Sequence, residues 1–333
     1  MSAVSSRFQN IDSGLAVDEQ TLVYALEDSW TSMLSMEVPV YLLSPSTMDR
    51  YCRPRCIPVE RAKKVRELIG KCVRSVGCDL QKLWEDIDKL AGEECRRYVA
   101  MGCFLPKDTV KGTGKPVILI CPERVHDAAS HAASSLGVGV QDAFRELFRS
   151  VLSHEEIHYI IWRLSGGRST GLYSQSAAAR MLEESLAQLG AYFNPSANPL
   201  LYQRVMDEVS RLQSLEYNGW RALLLYSSGP GDAREDIIIY ADAIAGVSGV
   251  HRAVGAVAKL LYPYTATHPL LPLMLPPMRV SRLKHILHHI YWELGPTWHH
   301  FYHEVVEPAL DGKPHPIEAA AAEVMRLTSL LLE

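Results

Sequence analysis

Residues 144–162 read FRELFRSVLSHEEIHYIIW, and this stretch decides how the rest of the chain is interpreted. Its centre, from His154 to His158, matches the pattern H-E-x-x-H, which carries chemistry when it lies on a helix. Apolar residues recur at three- and four-residue steps through the stretch, as they do on one face of a helix. Both histidines belong to the same stripe, whose members are Leu147, Val151, His154, His158 and Ile161. The pattern predicts a helix that turns its histidines toward the interior of a domain and ends before Gly166-Gly167.

The spacing of the two histidines predicts a metal site. His154 and His158 are four residues apart, so on a helix their imidazole nitrogens can bind one ion. Glu155 projects beside the same ion, where its carboxylate can take a proton from water without being a ligand. Neutral imidazoles suit Zn²⁺, which lowers the pKa of its water to about 7. The alternative is a helix with two histidines that bind no metal.

A second helix is predicted at residues 174–193, after a loop at residues 165–173. Ser174 or Ser176 can cap its start, and Asn194-Pro195 ends it. Two helices joined by a short connection pack as neighbours, so a glutamate near the middle of the second can face the middle of the first. Glu183 and Glu184 are both placed to do so. Three protein ligands and one water are the open coordination of a catalytic zinc site.

These motifs resemble the gluzincin branch of the zincin superfamily of zinc metallopeptidases. In that family H-E-x-x-H supplies two ligands, and a glutamate on the next helix supplies the third, often within Leu-x-Glu-Gly-x-Ala. Residues 182–187 look like this pattern, with Ser185 in place of the glycine. By this resemblance His154, His158 and Glu184 bind Zn²⁺, and Glu155 is the general base.

The resemblance implies an α+β, mostly helical fold. Its zincin-like core would have a small sheet and an active-site helix followed by a third-ligand helix. The clearest strand is at residues 116–121, followed by a short helix at residues 124–135 and a glycine turn, an order seen in small zincin domains. By the same resemblance this strand borders the cleft and binds an extended peptide through main-chain hydrogen bonds.

The implied function is a zinc-dependent metallopeptidase that acts on a peptide or protein substrate. Glu155 would take a proton from metal-activated water and deliver it to the leaving amine. One alternative is a binding or regulatory protein with a zincin fold and weak or no catalysis, favoured by Glu156, where the family usually has an uncharged residue. Another is a non-peptidase zinc hydrolase. The donor that would stabilise the oxyanion stays open among Tyr217, Tyr240, His251 and Arg252.

Length and composition place these motifs within a larger chain. The 333 residues, 47% of them hydrophobic, allow a substantial core. We expect an N-terminal helical region with a Cys-bearing helical hairpin at residues 1–105, a zincin-like core at residues 106–230 and a C-terminal helical region at residues 231–333. The hairpin would pair a basic helix within residues 50–74 with an acidic one within residues 79–99.

Charge and hydropathy exclude several classes of partner. The net charge of −4 gives no general attraction to nucleic acid or to an anionic membrane. No apolar run reaches transmembrane length, and the polar N-terminus does not resemble a signal peptide. We therefore expect a cytoplasmic protein without a membrane partner.

The seven cysteines all lie between Cys52 and Cys121, and in a cytoplasmic protein we expect reduced thiols. A structural zinc site built from Cys52, Cys56, Cys72 and Cys78 is an alternative, although the spacing does not match the usual pairs.

The C-terminal region contains a second concentration of histidines. Those with ligand spacing on a helix are His285 with His289 and His299 with His303. A second metal site competes here with an aromatic, histidine-rich helical face. The final helix, at residues 316–332, has an apolar side suited to docking or to self-association.

Overall fold

The structure, a computed structural model, describes residues 6–27, 29, 38–74, 79–92, 100–194, 198–224 and 316–332. It is mostly helical, with a small mixed sheet of four strands, which agrees with the predicted α+β class. The chain divides into two compact units. The first comprises Met1–Val59, Gly92–Ile160 and Gly190–Ser214. The second comprises Glu60–Ala91, Ile161–Leu189 and Leu215–Glu333.

The sheet belongs to the first unit. Its strands are β1 (Phe8–Asn10), β2 (Val40–Leu42), β3 (Gly102–Leu105) and β4 (Val117–Ile120). Their order is β1-β2-β4-β3, in which β1, β2 and β4 run parallel and β3 is antiparallel to β4. The strand at residues 116–121 is confirmed, and a strand within residues 38–43 is also present. The sequence did not predict β1 or β3.

The central position of β4 corrects one prediction. All four of its residues are fully buried, and it is hydrogen-bonded to β2 on one side and to β3 on the other. Its main-chain groups are therefore already used, and the prediction that this strand binds an extended peptide is wrong. On this side of the sheet the edge strand is β3, whose outer edge has no strand partner within the described residues.

One face of the sheet is covered by helix α2 (Pro45–Tyr51). The side chains shared between them form an apolar cluster that includes Tyr41, Met48, Cys52 and Leu119. A disulfide between Cys52 and Cys103 joins the helix end to β3 across 51 residues of chain. By loop-closure entropy a cross-link of this span stabilises the fold by about 4 kcal/mol.

This cross-link overturns the expectation of reduced thiols. Cys52 and Cys103 are paired, and Cys56 and Cys72 are also disulfide-bonded. These sulfurs cannot be zinc thiolates, so the structural zinc site is wrong as well. Cys121 is a free, buried thiol. Burial raises its pKa to about 11, which keeps it protonated and unreactive.

The helices that flank the sheet follow their sequence signals closely. They are α1 (Glu19–Leu26), α5 (Pro122–Leu136), α6 (Val140–Leu164) and α9 (Pro199–Ser210). Helix α5 begins with Pro122 and ends at Gly137, whose φ of 66° is the left-handed conformation that favours glycine. It packs against α9, where Ser135 donates a hydrogen bond of 2.7 Å to Glu208. Gly166 and Gly167, with φ of 64° and 83°, follow α6 at the predicted stop.

The second unit is built from helices. They are α3 (Ala62–Arg74), α4 (Leu80–Asp88), α7 (Ser169–Gln175), most of α8 (Ala177–Tyr192), α10 (Leu215–Asn218), α11 (Trp220–Leu224) and α12 (Pro316–Leu331). The basic helix α3 packs against α4, as the predicted hairpin requires. Helix α12 packs on α3, α4, α10 and α11, which uses its apolar side within the unit. At its end Leu330 and Leu331 are exposed.

Several predictions fall outside the described residues. These are residues 231–315 of the expected C-terminal helical region, which include the histidines from His285 to His303. Within the part of the chain that the structure describes, no helix combines the length and apolarity needed to cross a membrane.

Candidate metal centre

The H-E-x-x-H motif lies in the buried middle of α6. His154, Glu155, Glu156 and His158 are 3%, 4%, 0% and 7% exposed. The predicted apolar stripe is confirmed, but the sequence underestimated the burial of the opposite face. Aromatic contacts from the sheet side explain part of it, since Phe8 lies 6.1 Å from Phe148 and Phe104 lies 5.8 Å from Tyr159 between ring centroids.

A fully buried charge in the middle of α6 is paired. Glu156 forms an ion pair with Arg7, which lies just before β1 and also donates to the carbonyl of Val38. Because a buried charge is costly when left alone, this pair explains how the helix carries a glutamate where the family usually has an uncharged residue.

Two further charged side chains join α6 to α1. Glu146 accepts a hydrogen bond of 2.8 Å from the hydroxyl of Tyr24. Arg149 donates to the carbonyls of Tyr24 and Glu27 at the C-terminal end of α1, where carbonyls lack helical partners. These contacts fix α6 against α1.

The predicted ligands come together as one group. The Nε2 atoms of His154 and His158 are 3.1 Å apart, with the rings 4.9 Å apart and edge to face. Glu184 on α8 completes the group, in which the three ligand atoms lie within 4.8 Å of one another and all three residues are buried. Glu183, the rival third ligand, is equally buried but belongs to no such group among the described residues.

The geometry of the group fits a metal ion. Two nitrogens bound to Zn²⁺ at 2.0–2.1 Å with a tetrahedral angle lie about 3.3 Å apart. The observed Nε2 separation of 3.1 Å is close to this value. Two imidazoles and one carboxylate are also donors that bind divalent transition metals. His154, His158 and Glu184 can therefore hold a metal ion.

A tyrosine that the sequence did not single out holds the third ligand. Residues 165–173, predicted as a loop, contain the start of α7, which carries Tyr173. Its hydroxyl donates a hydrogen bond to Oε1 of Glu184. Burial and the adjacent Glu184 carboxylate raise the pKa of Tyr173 well above its usual value, so the hydroxyl keeps its proton. Such outer hydrogen bonds orient the carboxylates that bind metals.

Replacing Tyr173 by phenylalanine is expected to weaken Zn²⁺ binding by about 10- to 100-fold, because Glu184 loses the hydrogen bond that orients it. Chelator competition measures the dissociation constant. Tyr192→Phe, which removes a hydroxyl from the helix that carries Glu184, serves as the control and should leave the affinity unchanged. Equal Zn²⁺ affinity in the wild-type protein and in Tyr173→Phe would show that the hydroxyl of Tyr173 does not orient Glu184 for metal binding.

The second departure from the family pattern, Ser185, is accommodated by Gly219. The Ser185 hydroxyl donates to the carbonyl of Met181 at 2.7 Å and lies 3.3 Å from that of Glu216. A Cβ atom built on Gly219 would lie 1.9 Å from the Ser185 Oγ. The serine therefore fits because the chain facing it has no side chain at that position.

Glu155 packs against the backbone of β3. A Cβ atom built on Gly102 would lie 2.6 Å from Oε1 of Glu155 and 2.7 Å from its Cγ, closer than real Cβ contacts. Only glycine can occupy this position without moving the carboxylate or the strand. The sequence contained no signal for this contact, because Gly102 and Glu155 are far apart along the chain.

The structure places only one of the proposed oxyanion donors. Tyr217 is buried in α10 with 8% of its surface exposed. Tyr240, His251 and Arg252 lie outside the described residues. A cavity of about 380 Å³ lies near the N-terminal part of α6, lined by Tyr24, Arg145, Glu146 and neighbours, and none of the metal-binding candidates lines it.

Comparison with known proteins does not add to this picture. No protein-family model matches the chain, and no curated protein or solved structure is significantly similar to it. The function is therefore inferred from the geometry of the group itself.

Proposed function

We propose that this protein is a zinc-dependent metallopeptidase with a zincin-like core, in which His154, His158 and Glu184 hold Zn²⁺ and Glu155 is the general base. One observation carries the proposal: the three ligand atoms expected from the motif converge in a buried group within 4.8 Å of one another. Two imidazoles and one carboxylate, with a position left for water, are the ligand set of a catalytic zinc site.

The residues of the chain divide the chemistry between them. When bound, Zn²⁺ supplies Lewis acidity and a water molecule whose pKa is about 7. Glu155 accepts a proton from the attacking water and gives it to the amine nitrogen as the peptide C–N bond breaks. Proton transfer by a positioned carboxylate contributes about 10²- to 10⁴-fold to the rate. Burial of Glu155 excludes competing water and strengthens the electrostatic interactions in the site.

The pairing of Glu156 bears on the alternative of a non-catalytic binding protein. Glu156 favoured that alternative because it departs from the family pattern. Its buried ion pair with Arg7 provides a structural reason for the glutamate that is independent of catalysis. The departure therefore no longer favours a protein without activity.

We place the peptide substrate along β3. This strand passes over Glu155 at Gly102, and its outer edge has no strand partner among the described residues. An extended peptide can add to such an edge through main-chain hydrogen bonds. The proposal includes no clear nucleic-acid partner and no membrane partner. Self-association would use the exposed end of α12 at Leu330 and Leu331.

The cytoplasmic location stays a prediction. The disulfides restrict the kinds of cell in which the protein could be cytoplasmic. Disulfides persist mainly in oxidising compartments, and intracellular proteins of hyperthermophiles are the main exception. The Cys52–Cys103 bond therefore fits the cytoplasm of such an organism or an oxidising compartment.

Metal analysis of purified protein tests the proposal. We expect about one Zn²⁺ per chain in the wild-type protein and in Glu183→Ala, which removes an equally buried carboxylate that lies outside the group. His154→Ala and Glu184→Ala should lose more affinity than the roughly 10- to 100-fold that an outer hydrogen bond contributes. Mass spectrometry of a peptide library should detect cleavage that a chelator abolishes and added Zn²⁺ restores.

The outcomes separate the candidate functions. Wild-type protein that binds no Zn²⁺ would contradict the metal site and the enzyme together. Zinc binding with hydrolysis of esters or non-peptide amides alone would identify a non-peptidase hydrolase. Stoichiometric zinc with no hydrolysis of any substrate would identify a binding or regulatory protein.

A further inference from the structure

The position of β3 determines the space available to the Glu155 side chain. Built as alanine, Gly102 would place its Cβ atom 2.6 Å from Oε1 of Glu155 and 2.8 Å from Cγ1 of Val151. The backbone at Gly102 therefore touches both side chains of α6. A movement of β3 away from the helix would open space beside the carboxylate.

Alternate residues of β3 point to opposite faces of the sheet, as in any strand. On the face toward α6, Gly102 packs against Glu155, and the ring of Phe104 contacts that of Tyr159. On the other face Cys103 joins the apolar cluster beneath α2. Cys103, directly after Gly102, is thus the residue through which the strand is bonded to the far side of the sheet.

Among the described residues, β3 is paired with one strand only. Its ladder partner is β4, with Gly102 opposite Ile120. Arg124 also donates to the carbonyl of Ala100, in the turn before the strand. Edge strands open more easily than central ones because only one side is hydrogen-bonded. The disulfide to Cys52, which is 3% exposed, adds a covalent anchor next to Gly102.

We propose that the Cys52–Cys103 disulfide is a positioning element for the catalytic base. The cross-link keeps β3 seated so that the backbone of Gly102 confines the Glu155 carboxylate. This inference rests on the proposed function, because it takes Glu155 to be the general base. A displacement of about 1 Å in a positioned catalytic group lowers a rate by roughly 100-fold.

The variant Cys52→Ser/Cys103→Ser tests the cross-link in the full chain. We expect kcat for peptide cleavage to fall by about 10- to 100-fold while the Zn²⁺ stoichiometry stays unchanged. In the metal-free protein, hydrogen exchange at the amides of Gly102–Leu105 should become at least about 10-fold faster. Cys121→Ala removes the free thiol without touching the disulfide, and it should change neither measurement.

Two further variants test how the cross-link acts. One asks whether its effect passes through Gly102, and the other asks whether the covalent bond is needed or apolar packing is enough. Gly102→Ala disturbs the contact with Glu155 directly, so its effect on kcat should not add to that of the double serine variant. Cys52→Ala/Cys103→Val keeps apolar packing in the cluster but has no covalent bond. We expect it to lose kcat as the serine pair does, and it replaces the serine pair if that variant does not fold.

Each outcome decides the inference. An active wild-type enzyme whose disulfide-free variants keep full kcat would overturn it and leave the proposed function standing. Recovery of kcat in Cys52→Ala/Cys103→Val, or full additivity with Gly102→Ala, would also overturn it, because packing or another route would then account for the effect. A wild-type protein without hydrolytic activity would remove the proposed function, and the positioning role would fail with it.

Discussion

Glu155→Gln is expected to lower kcat by about 10²- to 10⁴-fold while Zn²⁺ remains bound at the wild-type stoichiometry. Glutamine has the size and shape of glutamate, so the close contact with Gly102 is preserved. It cannot accept the proton of the attacking water, however, because its amide is not basic. Steady-state kinetics on the best peptide from the library, with metal analysis of the same sample, measures both quantities.

The matched control is Glu183→Gln, which makes the same chemical change at a buried carboxylate outside the metal group. It should keep kcat within a few-fold of the wild-type value. Hydrolysis at the wild-type rate by Glu155→Gln would rule out the general-base role, even if zinc is bound. Loss of zinc in that variant would instead mean that Glu155 is a ligand.

Arg7→Met is expected to lower the free energy of unfolding by about 3–5 kcal/mol, because it breaks the ion pair of a fully buried carboxylate. Glu156 has no exposed side-chain surface, and Arg7 has 9%. Water therefore cannot replace the lost guanidinium. Urea denaturation followed by circular dichroism measures the change. The same variant should bind Zn²⁺ less tightly, since Glu156 lies between the two histidine ligands on α6.

The double variant Arg7→Met/Glu156→Leu separates the ion pair from other effects at these positions. Replacing a buried pair by apolar residues of similar size is often close to neutral, so the double variant should be more stable than Arg7→Met alone. A single variant that loses less than about 1 kcal/mol would show that Glu156 finds other stabilisation. In that case the ion pair with Arg7 would not be what stabilises the buried carboxylate in the middle of α6.

The elements around the site differ in how far the sequence predicted them. Helix α6 and strand β4 were predicted because each is a long or strongly apolar segment with local stop signals at its ends. Strand β1 contains Asn10 and strand β3 begins with Gly102, and both residue types are depleted in strands. Their pairing with distant residues makes these segments strands, so no local pattern marks them. The prediction that β4 is the peptide-binding edge was wrong for the same reason.

The choice of the third candidate ligand shows what the sequence could not predict even within a correctly predicted helix. Glu183 and Glu184 are adjacent on α8, and neighbouring helical positions differ by about 100° in direction. The choice between them depends on how the helix is rotated in the fold. The resemblance favoured Glu184, and the structure groups this residue with both histidines. Tyr173 and Gly102 had no sequence signal, since each acts only through a tertiary contact.

The sequence by itself predicted the two histidine candidates and the glutamate beside them, because a four-residue spacing on a helix is a local property of the chain. Tertiary structure decided which glutamate joins them, which hydroxyl orients it, and which backbone confines Glu155. It also decided that Glu156 pairs with Arg7 and that Cys52 pairs with Cys103. These contacts join residues from 11 to 149 positions apart, and only packing of the folded chain brings such residues together.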